Sequence, residues 1–116
     1  MKKHIKRKDF SVSHALKSYN KDGYYLAKSV FTREFCEELV DYLNTLEPKV
    51  TLPFTNIPWG YGNLLNDGPF KNITSSELIT EFCEEKFGNY IFNHLFVHNK
   101  TPWIGASLEW HQEAFN

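Results

Sequence analysis

"NHLFVHNKTPWIGASLEWHQEAFN", residues 93 to 116, decides how this chain is read. Together with Tyr90, Ile91 and Phe92, its first part sets Ile91, Asn93, Leu95 and Val97 on one side. Phe92, His94, Phe96 and His98 then fall on the other. That two-residue period belongs to a β-strand, and apolar residues on both faces predict an interior one. Pro102 and Gly105 signal a turn. After it, Leu108, Trp110, Gln112 and Ala114 alternate with Glu109, His111, Glu113 and Phe115, so the extended period resumes and His111 and Glu113 share a face.

Residues two apart on a strand are separated by roughly 6.6 Å and point the same way, so an imidazole and a carboxylate in this arrangement converge on one ion. Joined by a second histidine from elsewhere, they form the facial triad of non-haem Fe(II) oxygenases, which leaves adjacent positions open for a co-substrate and O2. Taken alone, H-x-E is short and common, and a solvated His and Glu on an outer strand face read equally well. His94 and His98 also share a face but lie about 13 Å apart on a straight strand, too far for one ion, and are read as packed or hydrogen-bonded.

Upstream, "NITSSELITEFCEEKFG" has a helical period. Leu78, Ile79, Phe82, Cys83 and Phe87 make its buried stripe, Thr74 and Glu77 have capping-box spacing, and Gly88 stops it, so a helix is predicted over about 75–87. From Lys49 to Phe70 the texture is Pro, Gly, Asn and aromatics, which predicts loops and short strands; Trp59, Tyr61 and Phe70 are either mouth-lining or core residues. Before that, Phe31, Phe35, Leu39, Leu43 and Leu46 recur at helical steps, Thr32 suits an N-cap and Pro48 lies beyond the end, which predicts a helix over about 32–46. Both helices contain the pentapeptide EFCEE, at 34–38 and 81–85. The amphipathic pattern turns Phe35 and Cys36 inward and the glutamates to water. Cys36 and Cys83 are the two cysteines; with no C-x-x-C and no His at ligand spacing they are read as separate, reduced core residues. Asp22-Gly23 reads as a turn leading into an aromatic and β-branched run, a short strand or an extended entry segment.

The chain of 116 residues fits one small domain, and 41% apolar with 16% aromatic content supports a core. A formal charge of −1 provides no global field for nucleic acid or anionic lipid. Basic residues crowd the start (Lys2, Lys3, Lys6, Arg7, Lys8), and residues 1–18 are read as a basic flexible tail ahead of a domain over 19–116. No apolar run of signal or membrane length follows that tail, so a soluble, cytoplasmic protein without a membrane partner is expected. A nucleic-acid module is disfavoured by the charge and by the lack of interleaved basic and aromatic residues.

The segment "YNKDGYYLAKSVFTREFCEELVDYL" resembles the opening of the phytanoyl-CoA dioxygenase family, with a D-G-Y turn, a short apolar stretch and an amphipathic helix. "NHLFVHNKTPWIGASLEWHQEAFN" is similar to that family's passage from an N-K-x-P strand end into a W-H-Q-D/E iron-binding strand. The two matches occur in the family's order and span most of the chain after residue 18.

The resemblance implies an α+β chain forming the N-terminal part of a double-stranded β-helix, a cupin-like jelly roll, with flanking amphipathic helices. It implies an enzyme that uses Fe(II) and 2-oxoglutarate to hydroxylate a C–H bond of a small-molecule substrate. His111 and Glu113 would be iron ligands, with Glu113 standing where most members carry Asp. Asn99 and Lys100 match the strand-end pair near the co-substrate, where a Lys suits a dicarboxylate. Gln112 would contact co-substrate only if the strand twists, since alternation turns it to the other face. In the family, the second His ligand and the Arg that grips 2-oxoglutarate come from strands after the H-x-D/E strand. Asn116 follows Glu113 closely. The chain is therefore expected to be an N-terminal fragment, inactive alone and prone to self-association; the alternative is a non-catalytic remnant or binding domain of the same architecture.

Overall fold

A computed structural model describes residues 10–47, 50–51, 58–100 and 102–103. These residues form a small mixed helix-and-sheet chain, in the order α1 (Val12–Asp22), α2 (Arg33–Asn44), β1 (Val50–Thr51), β2 (Pro58–Tyr61), a 3-10 turn (Gly68–Phe70), α3 (Lys71–Thr74), α4 (Glu77–Phe87) and β3 (Val97–His98).

Helix α1 forms because Val12, Ala15, Leu16 and Tyr19 recur at helical steps. The Ser11 hydroxyl accepts the first-turn N–H of His14 at 3.3 Å, and Gly23, at φ 81, closes the helix by donating its N–H to the Tyr19 carbonyl at 2.8 Å. Asp22-Gly23 is thus a helix end. Residues 12–18, read in the sequence as the last part of a flexible tail, are the first turns of this helix. Ala15 is fully buried, and α1 lies on α4 through the edge-on Tyr19 and Phe82 rings, 5.7 Å apart, and a 2.6 Å hydrogen bond from Lys86 Nζ to Asn20 Oδ1.

Helix α2 falls where the periodicity puts it. Thr32 caps it, its Oγ1 accepting the Phe35 N–H at 3.2 Å, and Phe35 is 1% exposed. Cys36, expected inward, is exposed, because the core-facing stripe runs through Phe35, Leu39 and Leu43 and leaves its neighbour outside.

The second predicted helix is two. Thr74 ends α3, and α4 starts after Ser76, so the Thr74–Glu77 capping box does not form. Ser76 is fully buried and donates its hydroxyl to the Ile73 carbonyl at 2.7 Å, closing α3 instead of capping α4. Gly88, at φ 70, ends α4 as expected. Phe87, expected in the buried stripe, is 57% exposed at the helix's last position.

The sheet runs β1-β2-β3, antiparallel throughout, with Gly60 opposite His98, Tyr61 opposite Val97 and an irregularity between Val50 and Thr51. The interior strand expected over 90–98 is reduced to its last two described pairs: residues 90–96 form no strand and Ile91 is 90% exposed. Among the described residues β3 pairs on one side only, so it is an edge there. The strand expected over 107–115 lies outside the described residues.

Tyr61, Leu64 and Phe70 form the core cluster, against which Leu39, Tyr42, Leu43 and Leu46 pack from the α2 side, Ile73 from α3, and Leu95 and Val97 from the β3 arm. Each such side chain, once fully buried, contributes about 1.5–3 kcal/mol. Gly68 permits the closest approach: a Cβ there would stand 2.5 Å from the Tyr42 ring. No helix among the described residues is long and apolar enough to cross a membrane.

Candidate functional site

β2 and β3 bring the described part of the candidate site together. Their ladder holds as far as the Gly60–His98 pair, and continuing its register places Lys100 opposite Pro58. Past His98 the chain leaves the sheet as Asn99 and Lys100, both exposed, and turns at Pro102, as the sequence predicts, and at Trp103; Gly105, the other residue predicted to turn the chain, lies outside the described residues. Trp103 holds the turn at φ 70 with its ring fully exposed. An amide and an ammonium at an open strand end are suited to receive a carboxylate.

His111, Gln112 and Glu113 lie outside the described residues, so their expected convergence has no geometry here. Among the described residues no group of three or more His, Cys, Asp and Glu side chains is placed to hold a metal ion. His94 and His98 are both exposed; the His98 ring meets Phe96 edge-on at 4.7 Å, the packing role expected for it. Tyr61 and Phe70, left open between mouth and core, are 8% and 4% exposed and belong to the core. The Trp59 side chain lies outside the description. Cys36 and Cys83 are free thiols on different helices, as expected, and partial burial pushes the Cys83 thiol above its ordinary range.

Sequence reasoning missed an apolar groove of about 350 Å3 between the end of α1 and α4, walled by Phe10, Tyr19, Tyr25, Leu78 and Phe82. The signal was present in the spacing of Val12, Ala15, Leu16 and Tyr19, but the cluster of charge just before it favoured a tail. It also missed Asn63. The Asn63 side-chain carbonyl accepts the N–H of Leu65 at 3.1 Å and that of Leu95, thirty-two positions along the chain, at 3.0 Å. A lone Asn in a turn-rich segment announces the first of these bonds and not the second.

The chain matches no protein-family model, no curated protein and no solved structure.

Proposed function

We propose that this chain carries the iron-ligating strand of an Fe(II)- and 2-oxoglutarate-dependent dioxygenase of phytanoyl-CoA dioxygenase type, built on a double-stranded β-helix and acting on a small molecule. The observation that carries this reading is the ordered pair of sequence resemblances, ending in N-K-x-P at 99–102 and W-H-Q-E at 110–113. The helix α2 that follows the D-G-Y segment, the exposed strand end at Asn99–Lys100 and the turn at Pro102 are compatible with that order.

The donor set suits the ion: one imidazole and one carboxylate, two residues apart, are the hard and borderline ligands of a non-haem Fe(II) site. Glu113 is one methylene longer than Asp, which alters the reach of the carboxylate but not its charge. The remaining ligand and the arginine for the distal carboxylate belong, in the family's order, to strands after Glu113. Bound Fe(II) would supply the redox chemistry that couples oxidative decarboxylation of 2-oxoglutarate to hydroxylation of a C–H bond. His111 and Glu113 would hold the ion, Lys100 would pair with a co-substrate carboxylate, Asn99 would hydrogen-bond beside it, and Gln112 would touch co-substrate only through a twist of the strand.

Succinate release, measured on the chain extended to supply the second histidine and the arginine, tests the reading. Turnover should require Fe(II), vanish in His111→Ala and fall only mildly in Gln112→Ala. Turnover that ignores iron, or that survives the loss of His111, overturns the oxygenase assignment.

A further inference from the structure

We propose that Asn63 is a positioning residue: with Gly60 it locks the register of β3, and so sets the face on which Lys100 leaves the sheet to meet the co-substrate. This rests on the dioxygenase reading for the role of Lys100. The register itself is read from backbone contacts. β2 pairs Gly60 with His98 and Tyr61 with Val97, so continuing the ladder puts Asn63 opposite Leu95. At that point the backbone has left strand geometry, yet both polar groups of Leu95 are satisfied from the 63–64 side. The Leu95 carbonyl accepts the Leu64 N–H at 2.9 Å, and the Leu95 N–H donates to Asn63 Oδ1 at 3.0 Å. Asn63 thus replaces a missing backbone carbonyl with its side chain.

Oδ1 also accepts the Leu65 N–H at 3.1 Å, which fixes the amide from its own side and leaves it little freedom to follow a displaced strand. Gly60 locks the other end. A Cβ there would stand 2.6 Å from Phe96 Cζ and 3.3 Å from the Val97 carbonyl oxygen, so the missing side chain is what lets the Phe96 ring close over Gly60 in the observed register. A slip of one residue reverses every side chain on a strand. For a two-residue strand with no second partner among the described residues, these contacts add to the packing of Leu95 and Val97 on the core cluster in opposing such a slip. Lys100, two residues past β3, emerges on whichever face the lock selects.

The test is steady-state kinetics of the same extended chain with 2-oxoglutarate varied. Asn63→Ala should raise KM for 2-oxoglutarate roughly tenfold and leave kcat within about twofold, the pattern of lost co-substrate placement without lost chemistry. Asn63→Asp, which keeps an oxygen for both N–H groups, should restore the wild-type KM. In a Lys100→Ala background, Asn63→Ala should add nothing further. If Asn63→Ala gives no folded protein, Asn63→Gln, which keeps the amide but displaces it by a methylene, is read in the same way. An extended chain with no other change that shows no iron-dependent turnover overturns the reading and this inference together. Active wild-type protein whose KM is unchanged in the variants, or whose Asn63 and Lys100 effects simply add, overturns this inference alone.

Discussion

The pentapeptide Glu-Phe-Cys-Glu-Glu occurs twice, at 34–38 in α2 and at 81–85 in α4, and the two copies are buried differently. In α2, Phe35 is 1% exposed with its ring 5.5 Å from Phe31, while Cys36 and all three glutamates are exposed. In α4, Phe82, Cys83 and Glu81 are each half-buried, and the Phe82 ring meets the edge of Tyr19 on α1. One sequence pattern, with one helical period, gives a sharp inside and outside in the first case and a blurred one in the second. The period is local, but the neighbour decides where its apolar side lands. α2 meets the 3-10 turn Gly68–Phe70 and turns Leu39, Tyr42 and Leu43 onto the main cluster. α4 is shared between α1 and the short α3 and contains no fully buried residue.

The largest expected effect follows from the two phenylalanines. Phe35→Ala empties a fully enclosed site and should cost about 3–5 kcal/mol, whereas Phe82→Ala removes a half-buried ring with one aromatic neighbour and should cost less than about half of that. Urea unfolding followed by fluorescence gives both values. Equal costs, or the reverse order, would show that α4 carries the core and that the contrast between the copies is drawn the wrong way round.

The cysteines offer a second way to break it. Cys36 is exposed, while Cys83 is half-buried with its thiol pushed upward by burial, so at a pH below the thiol range burial both depletes the Cys83 thiolate and restricts access to it. An aromatic disulfide reagent at neutral pH should modify Cys36 on the order of tenfold faster than Cys83. The rate ratio is read from Cys36→Ser and Cys83→Ser variants. Comparable rates would place the two thiols in equivalent surroundings.

How much could be read without coordinates differs by element in the same physical way. α2 was legible to its cap, because a single stripe faces a single core and the Thr32 hydroxyl accepts the Phe35 N–H as an N-cap does. α4 was legible as a helix, but its start was not: Ser76 donates its hydroxyl back to Ile73, a bond that depends on α3 existing. α1 was hidden because clustered lysines outweighed an apolar period of ordinary quality. The 90–98 segment alternates as a strand should, yet only Val97 and His98 find a partner, since alternation says which way side chains point and not whether another strand stands beside them. At the candidate site, Asn99, Lys100 and the turn at Pro102 were legible as an N-K-x-P strand end. Asn63 was not, because its bond to Leu95 spans a contact that spacing cannot encode.

The helix starts sharpen the comparison at a smaller scale. Thr32→Ala removes the acceptor of the Phe35 N–H and should cost about 1 kcal/mol. Ser76→Ala should cost less, because the Ile73 carbonyl keeps the Ser76 backbone N–H at 3.1 Å when the hydroxyl is gone and α4 loses no cap it had. Thermal melts of the two variants decide it. A larger loss for Ser76→Ala would mean that the buried hydroxyl, rather than the cap, is the more important of the two.

The smallest effect concerns the fourth residue of each copy. Glu37 has Arg33 one turn before it, and Arg33 Nε donates to Glu37 Oε1 at 2.8 Å; the same place before Glu84 is held by Thr80, which donates its hydroxyl to the Ser76 and Glu77 carbonyls. The difference resembles an added stabilising contact in the first copy. The Arg33 and Glu37 side chains are 87% and 60% exposed, however, so water screens the pair and ordering two long side chains offsets most of the attraction. The coupling between them, from a double-mutant cycle with Arg33→Ala and Glu37→Ala, should be about 0.3–0.5 kcal/mol and should fade in 1 M salt. A salt-resistant coupling above about 1 kcal/mol would mean that α2 owes its sharper definition to its surface and not to the burial of Phe35.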